Sequence, residues 1–286
     1  MIIANPIYDV VFKYLLEDIS IAKELLSVIL GQEIIELQLK PQETLVTGEG
    51  GEVKIFHLDF KALISTGDGQ QKTVLIELQK AKKSYDILRF RKYLGNNYAQ
   101  DEIRKNKYGD FENYALEIVT IYFLGFKLDG VEVPVLKVSR KTEDAITKKE
   151  VVAKNDFISH LTHESFMIQI PRLLHHQRNK LEEVLEVFNQ ENITDNLHRI
   201  DFKKLSKNLL VQKIVRRLSK AAADVEVKKI MEAEDMIARL INRANEEKFQ
   251  ETEEKIQELE EKLQASEQER ILLMQKIEAL SKNNSK

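Results

Sequence analysis

Two neighbouring stretches decide the fold: Ile55 to Ile64, IFHLDFKALI, and Thr73 to Lys80, TVLIELQK. Both are β-branched and aromatic with partial alternation of apolar and polar residues, and only STGDGQ (65–70) separates them, so they read as paired strands. Residues two apart on a strand share a face, which projects Asp59 with Lys61 and Glu77 with Gln79. If the strands are neighbours, one face of the sheet carries two carboxylates, an ammonium and an amide. Burying carboxylates on an apolar sheet costs several kcal/mol unless a partner compensates. A hard, oxygen-seeking dication such as Mg²⁺ is one such partner. An ion pair between Glu77 and Lys61 on a solvated face is the other reading of the same spacing.

Working outward, Ile34 to Leu39 continues the strand signal before the pair. Towards the N-terminus the period becomes helical, with Asn5-Pro6 as the entry and apolar positions at Val11, Leu15, Ile21, Leu25, Leu26 and Ile29. Two helices are expected, meeting near Asp18 to Ser20, with Gly31 ending the second. After the pair come a helix over about Ser84 to Glu102, a strand over Tyr114 to Leu124 and a shorter strand over Val131 to Val138. Helix, strands, helix, strand is an α/β core. From Val151 the signals read as almost entirely helical. Three parts are expected: an α/β domain over 1–140, a helical region over 141–220, and a long helix over 221–286.

The last part has a regular seam. Phe249, Thr252, Ile256, Leu259, Leu263, Ser266, Arg270, Leu273, Ile277 and Leu280 are spaced alternately three and four apart, with Glu, Lys and Gln between them. That pattern predicts a coiled coil, and so a homo-oligomer, because one such helix cannot bury its own seam. Thr252, Ser266 and Arg270 weaken the seam and favour a modest dimer. A single solvated helix lying back on its own domain is the alternative.

Composition narrows the functional classes. The 286 residues contain 44 Lys+Arg against 47 Asp+Glu, a formal net charge of −3. Residues 246–286 hold 7 basic and 11 acidic residues, leaving 37 against 36 in the remainder, so the acidic excess belongs to the tail. Zero cysteines exclude disulfide scaffolds, thiolate zinc sites and Cys nucleophiles. No apolar run approaches the roughly 20 residues of a membrane span, and the N-terminal stretch lacks the basic leader of a signal peptide. A soluble cytoplasmic protein is the expectation. One segment departs from the balance: Lys80 to Lys107 holds nine basic residues, Lys80, Lys82, Lys83, Arg89, Arg91 and Lys92 among them, against three acidic ones. Tyr85, Phe90, Tyr93 and Tyr98 interleave with them, a combination suited to phosphate contact and base stacking, although aromatics at helical spacing also describe a core. His160 and His163 come with no HExxH spacing, and Gly48, Gly50 and Gly51 do not lie between a strand and a helix.

Four motifs, NPIYDVVFKYLL (5–16), HLDFK (57–61), LIELQ (75–79) and RFRKY (89–93), occur in an order and spacing that resemble the PD-(D/E)XK nuclease-like transposase family, related to the recombination-promoting nucleases of bacteria. The resemblance covers about residues 1 to 140. It implies a restriction-endonuclease-like core, a mixed sheet flanked by helices, in a bacterial cytoplasmic protein that cuts DNA. It implies that Asp59, Glu77 and the backbone carbonyl of Leu78 hold Mg²⁺ or Mn²⁺, with Asp9 as an additional acid from the first helix. Gln79 stands at the third position of the E-x-K signature, where an amide orients water but supplies no positive charge. Lys61 is the expected substitute ammonium, since Lys80 projects to the opposite face. Arg89 and Tyr93, four apart on the following helix, are the expected phosphate contacts, with Lys80, Lys82, Lys83 and Arg91 completing the DNA-binding set. The neutral Gln79 keeps a second outcome open, a catalytically inactive module that binds DNA or protein and assembles through its coiled coil.

Overall fold

The Asp18 carboxylate accepts hydrogen bonds from the backbone N–H groups of Ser20 and Ile21 and so caps helix α2 (Ile19–Leu30), separating it from helix α1 (Asp9–Leu16). Gly31, at φ 66°, takes the left-handed conformation that ends α2 and turns the chain into the sheet. The first expected helix therefore starts four residues later than Asn5. Asn5 instead forms a turn, its side chain accepting from the Ile7 N–H and binding Gln190 and the Leu197 carbonyl.

The computed structural model describes every residue except 49–50, 66–70, 82–86, 106–107, 154, 174–177, 195, 204–205, 241–242, 245, 248–249, 251, 254, 258, 260–261 and 263–286. The chain divides into two units, Met1–Met231 and Glu232–Lys286.

In the first unit a six-stranded mixed sheet is flanked by helices. Strands β2 (Ile34–Gly48) and β3 (Gly51–Ser65) form a long antiparallel hairpin, and β4 (Gln71–Ala81) pairs antiparallel with β3. Helix α3 (Ile87–Tyr98) follows, then a small hairpin of β5 (Glu102–Lys105) and β6 (Phe111–Tyr114). Strand β7 (Glu117–Leu124) returns parallel to β4, as expected of a strand joined to its neighbour through a helical crossover. Strand β8 (Val135–Val138) lies at the far edge. Strand β9 (Glu164–Gln169), preceded by the short helix α4 (Asp156–Leu161), inserts between β7 and β8, giving the order β2-β3-β4-β7-β9-β8. Helix α5 (Lys180–Leu185) leads to β10 (Arg199–Asp201), which pairs with β1 (Ile2–Ala4), and α6 (Leu209–Ala223) closes over α1 and α2.

This corrects the expected partition. The sheet does not end near residue 140, and 141–220 is not a separate helical region: β9 is an inner strand, and β10 holds down the N-terminus. The expected helix over 84–102 is also shorter, since Glu102 begins a strand.

The main core fills one face of the sheet. Phe60, Ile76, Ile121 and Phe123 meet the inner faces of α1, α2 and α6. The Phe123 ring centroid lies 5.0 Å from those of both Phe12 and Phe188. The opposite face is covered by α3, where Phe90 stacks on Tyr122 at 5.0 Å. Every described residue of the second unit is helical, with the seam positions Ile256 and Leu259 exposed. Among the described residues no helix is long and apolar enough to cross a membrane.

Candidate functional site

Register across the sheet places five polar residues in one line. Lys40 on β2 pairs with Asp59 on β3, Asp59 with Glu77 on β4, Glu77 with Thr120 on β7, and Thr120 with Ser165 on β9. The expected juxtaposition of positions 59 and 77 is thus met by the backbone. The Thr120 hydroxyl donates to the Ser165 hydroxyl at 2.7 Å, and both side chains are buried. The side chains of Glu77, Gln79, Lys80 and Arg89, and residues Lys82 and Lys83, lie outside the described residues. Leu78 sits in the ladder opposite Leu58 and Ile121, its side chain in the core.

Asp59 is the unusual group. Its side chain points away from Phe60 and the main core, toward α3, and it is only 2% exposed. Burial pushes its pKa up to about 6, opposed by a hydrogen bond from Asn97 and by the positive charge of Lys40. Oδ1 is buried and has no hydrogen-bond partner among the described residues. A desolvated carboxylate that one amide only partly satisfies retains an open acceptor, and that suits a cation. Among the described residues no three His, Asp or Glu side chains gather into a metal-binding group.

Helix α3 supplies the roof. Phe90, Tyr93 and Asn97, spaced three and four apart, are its buried stripe. Tyr93, expected as a nucleic-acid contact, is therefore a packing residue at 7% exposure, whereas Arg91 on the same helix is exposed. The helix must present Asn97 to the sheet, and the aromatic pair Phe90 and Tyr122 fixes how it lies.

Lys61 was expected to lend its ammonium to the Asp59 pocket. It binds Glu102 at the start of β5 instead, and Glu102 also accepts from Lys40 at 2.6 Å. Burial raises the Glu102 pKa, but the two lysine hydrogen bonds and charges outweigh it and hold the carboxyl below the ordinary glutamate range. Asp9 is exposed at the start of α1, and among the described residues the groups that act on Asp59 are Asn97 and Lys40 rather than Asp9. Sequence reasoning missed Lys40, Asn97, Glu102, Thr120 and Ser165. Lys40 and Thr120 had a usable signal, as polar residues at a strand position level with Asp59. Asn97 and Glu102 had none, because they reach the site through tertiary packing.

No protein-family model, curated protein or solved structure matches this chain. The site is therefore read from its own chemistry.

Proposed function

We propose that the chain is a metal-dependent DNA endonuclease of the PD-(D/E)XK transposase type, with Asp59 and Glu77 as the metal ligands. The observation that carries this reading is the Asp59 carboxylate, buried, with its pKa raised to about 6 and Oδ1 without a hydrogen-bond partner among the described residues, on the strand position paired with Glu77. The mixed sheet flanked by helices is compatible with a nuclease-like core. Asp59, Glu77 and the Leu78 carbonyl are the groups that hold Mg²⁺ or Mn²⁺, and such an ion supplies Lewis acidity to a scissile phosphate and offsets the charge that develops on it. Asn97 orients the Asp59 carboxylate. Lys40 keeps positive charge beside it, and both Lys40 and Lys61 are bound to Glu102 until a phosphate competes for them. Arg91 lies on the exposed side of α3, in the basic segment, where DNA backbone contact is expected.

A second reading is favoured by one observation. Lys61, the substitute for a missing catalytic lysine, is engaged by Glu102, while Gln79 is neutral. A nuclease-like module that binds DNA or protein without cutting, and pairs through the heptads after residue 246, fits that arrangement. Supercoiled plasmid incubated with Mg²⁺ or Mn²⁺ separates the two. Nicking by the wild type that is lost in D59A/E77A supports the enzyme; equal traces in both support the binder.

A further inference from the structure

Helix α6 carries four basic residues in two differently served pairs. Lys213 binds Glu24 at 2.5 Å, and Arg217 donates to the Tyr14 carbonyl at 2.6 Å with its guanidinium 4.4 Å from the Tyr14 ring centroid. These two fasten α6 to α1 and α2. Arg216 and Lys220 are exposed and have no acidic partner among the described residues. With Lys203, which reaches the Asp201 carboxylate only at 4.0 Å, they line a pocket of about 620 Å³. Its remaining lining is mostly apolar, with Phe202, Val211, Val215 and Ala223 beside the basic side chains. Ser219 also lines it, and its buried hydroxyl has no hydrogen-bond partner among the described residues.

Each part of this arrangement constrains the occupant. The volume is that of a small-molecule site, and the apolar lining wants a hydrocarbon or aryl body. Arg216 and Lys220, without acidic partners among the described residues, and Lys203, only loosely paired with Asp201, want more negative charge than a single carboxylate brings, and the guanidinium can bind two oxygens at once. A phosphate monoester carries about −1.5 to −2 charges and three acceptor oxygens. The Ser219 hydroxyl adds a neutral donor. We propose that this pocket binds a phosphate monoester with a short apolar body, its head held by Arg216, Lys220 and Lys203 and its body on Phe202, Val211 and Val215. The pocket shares no residue with the Asp59 site, so the inference stands whether or not the chain cuts DNA.

Calorimetric titration of the full chain with hexyl phosphate tests it. Saturable binding is expected with a Kd below ~1 mM, and hexanol, hexanoate and inorganic phosphate are each expected to bind at least ~10-fold more weakly. R216Q/K220Q is expected to lower the affinity for hexyl phosphate at least ~10-fold with an unchanged melting temperature. No saturable heat, undiminished affinity in that variant, or equal binding of hexanol, hexanoate or inorganic phosphate overturns the proposal. Should the double variant unfold, methyl NMR of the wild type decides: shifts on adding hexyl phosphate are expected at Val211 and Val215, and shifts confined elsewhere overturn it.

Discussion

Asn97, on the roofing helix α3, donates a hydrogen bond to the carboxylate of Asp59 in the middle of the sheet. Helix and sheet are thereby joined at an acid that burial holds partly protonated near pH 6. The pair links the packing of the second face to the chemistry of the site, since Phe90 and Tyr93 must seat the helix before Asn97 can reach.

The Asp59 pKa raised to about 6 makes its contribution to stability fall as pH climbs. The contribution is fully present below its ordinary value of 3.8 and is lost as pH rises through about 6. Chemical denaturation of wild type and D59N at pH 4 and pH 7.5 should show the wild type losing about 2 to 3 kcal/mol relative to the variant between the two conditions. A pH-independent difference between them overturns the buried-acid reading.

A dication held by Asp59 and Glu77 must displace the proton that Asp59 favours. Mg²⁺ or Mn²⁺ should therefore raise the melting temperature more at pH 8 than at pH 5. D59N should remove the rise at both. An equal rise in D59N places the ion elsewhere.

Glu102 holds two lysines, and its depressed pKa contributes stability above the ordinary glutamate range that is lost as pH falls through the folded-state value. Replacement by Gln should cost about 1 to 2 kcal/mol near pH 7 and progressively less as pH falls below the ordinary glutamate range, read by urea midpoints. If the proposed nuclease reading holds, Lys61→Ala should also slow cleavage at least ~10-fold; full activity would clear Lys61 of a catalytic role.

The Phe12, Phe123 and Phe188 cluster joins α1 to the sheet, and Phe123 is 1% exposed. Phe123→Ala should destabilise the first unit by about 3 to 5 kcal/mol in equilibrium unfolding. A loss under about 1 kcal/mol would mean that the site collapses around the vacancy.

Ile256 and Leu259 are exposed at 50% and 64%. If they form a self-pairing seam, I256E/L259E should convert an oligomer to a monomer in sedimentation equilibrium. The same mass for wild type and variant removes the coiled-coil reading.

Local pattern carried the sheet's centre. Alternation in IFHLDFKALI and TVLIELQK, with a short connection between them, was enough to set Asp59 opposite Glu77. Strand β9 escaped because ESFMIQ is six residues long, directly follows a helix, and pairs parallel with a strand some forty residues earlier, so no hairpin turn announces it. The three-residue strands β1 and β10 are too brief for any period to register. Asn97 and Glu102 belong to the site only because α3 and the hairpin after it fold back over the sheet, a fact of tertiary packing that neighbouring letters do not encode.

The pairing of Ile2–Ala4 with Arg199–Asp201 has a consequence for biosynthesis. Ile2–Ala4 meet their partner only after almost two hundred further residues have been added during synthesis. Until then the buried Ile3 and Ala4 have no β10 backbone to pair with, and an inner sheet position waits for residues 164–169. A nascent chain stalled before residue 199 would display that unfinished surface to chaperones, and release of β10 would act as the latch that withdraws it.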